Sequence, residues 1–167
     1  MTDLWDALHP LFDTDDSLPP EIWINDLSDL GMEHIFAFLR AAGSTLPEVD
    51  CYWDDRAQRE RSIDSVPNAA QLVTRGEAAP FHMLVRGLSF SGATIPDLGV
   101  FILPQRIILD YRMGSAWGPA ELVALFELFK AIHRLDPGAT ITLQPGVLPT
   151  VRSQFETLVY LYLSAPS

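Results

Sequence analysis

Residues 99–143, GVFILPQRIILDYRMGSAWGPAELVALFELFKAIHRLDPGATITL, constrain the fold more than any other stretch, because they spell strand, turn, strand, helix and strand in succession. Val100 to Leu103 is an apolar run. Arg106 to Met113 alternates, with Ile107, Leu109, Tyr111 and Met113 on one face and Arg106, Ile108, Asp110 and Arg112 on the other. Between the two, Leu103-Pro104-Gln105-Arg106 predicts a type I turn with proline at its second position, and so an antiparallel hairpin. Pro119 suits the first position of a helix, where its missing N–H costs nothing. In Ala120 to Leu135 the residues Leu122, Leu125, Phe126, Phe129, Ile132 and His133 form an apolar stripe wide enough to require a sheet beneath it. Asp136-Pro137-Gly138 stops the helix, and Ala139 to Leu143 starts another strand.

The rest of the chain supplies further elements of both kinds. Thr2 to Phe12 carries apolar residues at helical spacing and is expected to bend at Pro10. Glu21 to Asn25 reads as a short strand in which Ile22 and Ile24 flank Trp23. Ser28-Asp29 caps a helix over Leu30 to Ala42, striped by Met32, Ile35, Phe36, Leu39 and Ala42, with Gly43 as a left-handed terminator. In Glu48 to Asp54, Val49, Cys51 and Trp53 alternate with Asp50, Tyr52 and Asp54, which predicts a strand that buries Cys51 and turns its carboxylates outward. Val66 to Thr74 is expected to form a short helix and Phe81 to Phe90 a strand. Phe155 to Leu163, where Leu161 and Leu163 alternate with Tyr160 and Tyr162, is read as a closing strand, with a helix over Pro149 to Leu163 as the competing reading. The expectation is one α+β domain over residues 1–167, built on a mainly antiparallel sheet of about five to seven strands with two amphipathic helices packed on one face.

Charge bears on function more than any motif does. The chain has 22 acidic and 11 basic residues. Residues 1–64 hold 15 of the acidic residues and 4 of the basic ones, so the net charge of −11 sits in that part and the remainder is balanced. Phosphate binding needs basic patches, so neither nucleic acid nor an anionic membrane surface is an expected ligand. A basic protein partner fits, since complementary potentials speed association and reject wrong partners. A solvated acidic surface with no partner fits the same composition. No apolar run approaches the roughly 18 residues of a membrane span and the acidic N-terminus does not resemble a secretory signal, so a cytoplasmic location is expected.

Catalytic and cofactor motifs are incomplete. Asp13-Thr14-Asp15-Asp16-Ser17 begins like a calcium loop, but Leu18 stands where the turn needs glycine and Ile24 where a bidentate glutamate belongs. Gly87-Leu88-Ser89-Phe90-Ser91 lacks the second glycine of a nucleophile elbow. The single cysteine, Cys51, excludes an internal disulfide, and His9, His34, His82 and His133 lack zinc-site spacing. An enzyme is therefore not the expectation, and no cofactor or metal is implied.

The stretches MEHIFAFLRAAGSTLPEVDCYWDD and YRMGSAWGPAELVALFELFKAIHRLDPGATI resemble, in pattern, the bacterial immunity proteins that neutralise polymorphic or type VI secreted toxins, including the branch paired with toxins of restriction-endonuclease fold. The resemblance implies stoichiometric inhibition of a cognate basic toxin, a nuclease in particular. Joined to the charge distribution, it makes Asp13, Asp15, Asp16, Glu21, Asp26, Asp50, Asp54 and Asp55 candidate contacts, with Trp23, Tyr52 or Trp53 as aromatic anchors. Core packing is the competing role for each tryptophan. A small enzyme with a site assembled by the fold, or a secretion-system adaptor, are the rival readings.

Overall fold

A computed structural model describes residues 4–14, 19–46 and 48–165. Its centre is a five-stranded antiparallel sheet of order β4-β7-β8-β1-β9, made by Phe81–Val85, Leu98–Leu103, Arg106–Tyr111, Glu21–Asn25 and Thr140–Leu143 respectively. Two small hairpins stand outside it: β2 (Cys51–Asp54) with β3 (Arg59–Ser62), and β5 (Ser89–Phe90) with β6 (Ala93–Thr94). The helices are α1 (Leu4–Leu8), α2 (Asp29–Ala42), α3 (Ala69–Thr74), α4 (Pro119–Leu135) and α5 (Pro149–Ser164). The chain is α+β, as its patterning predicts, and none of the described helices is long and apolar enough to cross a membrane.

Strand β1 pairs antiparallel with β8 on one side and with β9 on the other. Strands β8 and β9 therefore run parallel with one strand between them, and α4 crosses over that gap, giving a split β-α-β unit. Alternation along the strands sends Ile22, Ile24, Val100, Ile107, Leu109 and Leu143 to one face, where all are essentially inaccessible. That face carries the helices and the core. Phe36 of α2 meets Phe81 edge-on with centroids 5.9 Å apart, and Phe12 stacks on Tyr111 at 5.0 Å. Burial pushes the Tyr111 hydroxyl far above its ordinary pKa, and its O–H donates to Leu11 C=O at 3.0 Å.

Several local expectations are corrected. The C-terminal segment is helix α5 and not a strand, because its buried residues Phe155 and Val159 and the half-buried Tyr162 recur at helical spacing, and Phe155 and Tyr162 pack on Phe126 and Phe129 of α4. The Tyr-Leu alternation at 160–163 lies across a helix surface, with Tyr160 and Leu161 exposed. In residues 48–54 the parity is the reverse of the one expected: Asp50, Tyr52 and Asp54 are buried, while Val49 is 73% and Trp53 42% exposed. Period-two alternation identifies two faces without saying which is inward, and here backbone donors supply the partners that let the carboxylates go in. The expected strand over residues 81–90 breaks after Val85, and Gly87, at φ 73°, precedes the β5-β6 hairpin. Gln105 has φ 58°, which excludes a type I turn and suits type II. Gly43 is extended rather than left-handed; a Cβ there would lie 2.6 Å from Val85 Cγ1 and 2.8 Å from Arg86 O, so close approach explains the glycine.

A buried carboxylate joins three of these elements. Asp136, at the end of α4, accepts from Ser28 N–H at 2.8 Å and Ser28 Oγ at 2.9 Å, where Ser28 is the N-cap of α2, and from Gly138 N–H at 3.1 Å before β9. Replacing it leaves those donors without an acceptor. Asp136→Ala is expected to cost roughly 2–3 kcal/mol, read as a lower urea midpoint with unchanged slope; a shift within error would show that water replaces the carboxylate.

Candidate functional site

All five strands present their second face away from α2 and α4, with α5 flanking it only at the β9 edge. Cross-strand register puts His82, Phe101, Ile108, Trp23 and Thr142 opposite one another in a single row running from β4 to β9. On a one-sided antiparallel sheet this face is expected to be polar. Here its middle is Phe101, Ile108 and Trp23, and Ile108 is only 8% exposed.

Trp23 is held from two directions. The Arg106 guanidinium lies over its ring at 4.3 Å from the centroid, and Arg106 Nε donates to Asn25 Oδ1 at 2.6 Å. The indole Nε1–H donates to Glu21 Oε2 at 2.8 Å. Thr142 Oγ1, opposite Trp23, donates to Glu156 of α5. The tryptophan is half-buried and held in one orientation, with carboxylates on two sides.

At the other end of the row, His82 Nε2 and Asp110 Oδ2 are 2.7 Å apart. They sit on β4 and β8 and reach each other across β7, where Gly99 lies opposite both Leu84 and Asp110. A Cβ at residue 99 would overlap the Asp110 carboxylate and His82 Nε2, so the glycine opens the space in which the pair meets. The hydrogen bond to Asp110 holds the His82 pKa above its ordinary 6.5 against the effect of burial, with the Asp110 and Asp50 charges adding to the rise.

The acidic residues singled out in the sequence are not gathered on this face. Glu21 and Trp23 lie on it. Asp26, exposed and at φ 60°, ends β1 and accepts from Thr140 Oγ1 at 2.6 Å. Asp13 follows the 3₁₀ turn His9–Leu11, with Oδ2 3.0 Å from His9 Nδ1. Asp15 and Asp16 lie outside the described residues. Asp50 accepts from Leu46 N–H at 2.7 Å and Leu84 N–H at 3.2 Å. Asp54 caps the β2-β3 turn, and the Ala57 N–H at 2.8 Å, followed by Arg61 and the Arg56 N–H, holds its pKa below the ordinary carboxylate value despite desolvation. Tyr52 is core, 6.2 Å from Phe81 centroid to centroid. Trp53 and Asp55 are exposed on the hairpin beyond β4. Arg106, Phe101, Ile108, His82 and Asp110 were not among those candidates. Phe101 and Ile108 carry a signal in the sequence, as apolar residues at the outward positions of strands that already bury a full opposite face; Arg106, His82 and Asp110 carry none.

Among the described residues no group of three His, Cys, Asp or Glu side chains could hold a metal ion. No family model, curated protein or solved structure matches the chain.

The His82–Asp110 pair sets a pH dependence. Because folding raises the His82 pKa, the stability from the pair is fully present below about pH 6.5 and is lost as pH rises through the raised folded value. Both Asp110→Asn and Gly99→Ala should return the His82 titration, followed by NMR of its ring protons, toward 6.5 without unfolding the sheet. An unmoved titration in Asp110→Asn would show that another group holds the proton.

Proposed function

We propose that this protein acts by binding, covering a basic partner protein with the open face of its sheet as an immunity protein neutralises a toxin. A nuclease with a basic cleft is the partner of choice. The supporting observation is the setting of Trp23: an aromatic side chain fixed by Arg106 and Glu21, beside Phe101 and Ile108, with Glu21, Asp110 and Glu156 around it. Interfaces concentrate their energy in such rigid aromatic anchors inside a polar rim. A cleft that holds phosphate presents Lys and Arg, which these carboxylates complement. The excess of acidic residues in 1–64 adds a longer-range attraction that speeds encounter and weakens with salt.

The test is capture from the cells that make the protein, using tagged unmodified chain and two variants. One basic protein should be retained in equal amount at low salt and released at high salt. With that protein purified, Trp23→Ala should weaken binding by about 2 kcal/mol, roughly 30-fold, chiefly through faster dissociation. Glu21→Lys combined with Asp110→Lys should slow association and flatten its salt dependence. A partner that binds both variants as tightly as the unmodified chain does not use this face, and retention of no basic protein removes the reading altogether.

A further inference from the structure

The two edges of the five-stranded sheet are finished differently. The β4 edge is engaged at Leu84, whose N–H meets the Asp50 carboxylate at 3.2 Å, and just past the strand Arg86 and Ser44 exchange N–H···O bonds of 2.9 and 2.8 Å. Just before the strand, Ala79 N–H donates to Trp53 C=O at 3.0 Å. Occupied edges of this kind keep a sheet from pairing with other chains.

Strand β9 has no such cover. Gln144 N–H donates to Glu21 C=O at 3.0 Å, which makes 21 and 144 a hydrogen-bonded pair. Such pairs alternate along an antiparallel ladder, and Ile22 lies opposite Leu143 and Ile24 opposite Ile141. Thr140 and Thr142 therefore bond toward β1, while Ile141 and Leu143 direct N–H and C=O away from it. Among the described residues no backbone group meets them, and Leu143 C=O receives only a 3.4 Å approach from the Thr142 hydroxyl.

This edge is one wall of a groove of about 530 Å³ whose lining includes the consecutive residues from Ala139 to Leu143. The opposite wall is α5, with Val159, Tyr160 and Leu163 supplying apolar surface. Two lining side chains, His133 and Arg152, carry a solvent-inaccessible nitrogen, Nδ1 and Nε respectively, with no hydrogen-bond partner among the described residues. Outward main-chain groups and an apolar wall together match an extended peptide, which has a backbone to pair and a side chain to bury.

We propose that the groove between β9 and α5 takes an extended segment of another protein, which pairs with Ile141 and Leu143 as a sixth strand and packs an apolar side chain against Val159 and Leu163. Two ways of filling the edge with a second copy are disfavoured by the fold. The β4 edge has β2 packed beside it and Leu84 N–H engaged by Asp50, and a β9 from a second copy would bring its own α5 into the space beside the strand. The inference does not depend on the partner being basic, so it stands or falls apart from the reading of the open face.

The probe is a displayed library of random eight-residue peptides selected on the full chain. Enriched peptides should carry apolar residues at alternate positions and slow amide exchange at Ile141 and Leu143, with Leu84 unchanged. Ile141→Pro, which removes one outward N–H and leaves the bonds to β1 in place, should weaken them about tenfold. Amide exchange in the unmodified chain keeps the test decisive if that variant unfolds. Absence of enriched peptides, peptides that leave those two amides unprotected, or a concentration-dependent dimer that protects them instead would each overturn the proposal.

Discussion

The insertion of β1 between β8 and β9 is the constraint on which the other features depend. The strands joined by α4 do not touch each other, and without a strand in the gap both would present an unpaired edge beside the core. Ile22 and Ile24 fill the buried side of that gap and are wholly inaccessible, while the backbone of β1 bonds in both directions. Because β1 comes from residues 21–25 and its neighbours from 106–111 and 140–143, the sheet is complete only when distant parts of the chain have met. The Asp136 carboxylate reinforces the same junction, holding the start of α2 against the end of α4 next to β9.

One-sided packing follows, and with it the surface available for binding. The register that buries Ile22 and Ile24 turns Trp23 to the open side, between Ile108 and Thr142. Arg106 then covers the face of the indole and Glu21 takes its edge N–H. The asymmetry of the two edges has the same origin. Asp50 engages Leu84 N–H of β4 and Ser44 pairs with Arg86 just past it, whereas the chain leaves β9 through residues 144–148 into a helix that bonds the Thr142 side chain through Glu156 but no outward backbone group of Ile141 or Leu143.

Carboxylates divide into two populations that composition cannot separate. Asp50, Asp54 and Asp136 are buried and accept from backbone N–H groups, so they belong to the architecture. Glu21, Asp26, Asp55 and Asp110 remain at least partly accessible and set the surface potential. An aspartate near a turn or helix terminus is favoured there because a short side chain can bond nearby backbone donors, and that preference inflates the apparent acidity of a surface when charges are counted along the chain.

Patterning along the chain determined the elements whose signal is local. The hairpin and helix of residues 99–135 are set by period-two and period-3.6 burial with Pro104 and Pro119 as punctuation, and Ser28 acts as the α2 cap that its side chain suggests. Where two periods fit equally well, as at residues 155–163, the packing of Phe155 and Tyr162 against α4 decided for helix. Which side of residues 48–54 faces inward was settled by donors from Leu46, Leu84, Arg56 and Ala57, and the local alternation contains no record of the more distant one. The row His82–Phe101–Ile108–Trp23–Thr142 exists only as a cross-strand register between segments far apart in the chain. A sequence specifies which residues alternate; the pairing of strands specifies which of them become neighbours, and on this chain the candidate surface is made of such neighbours.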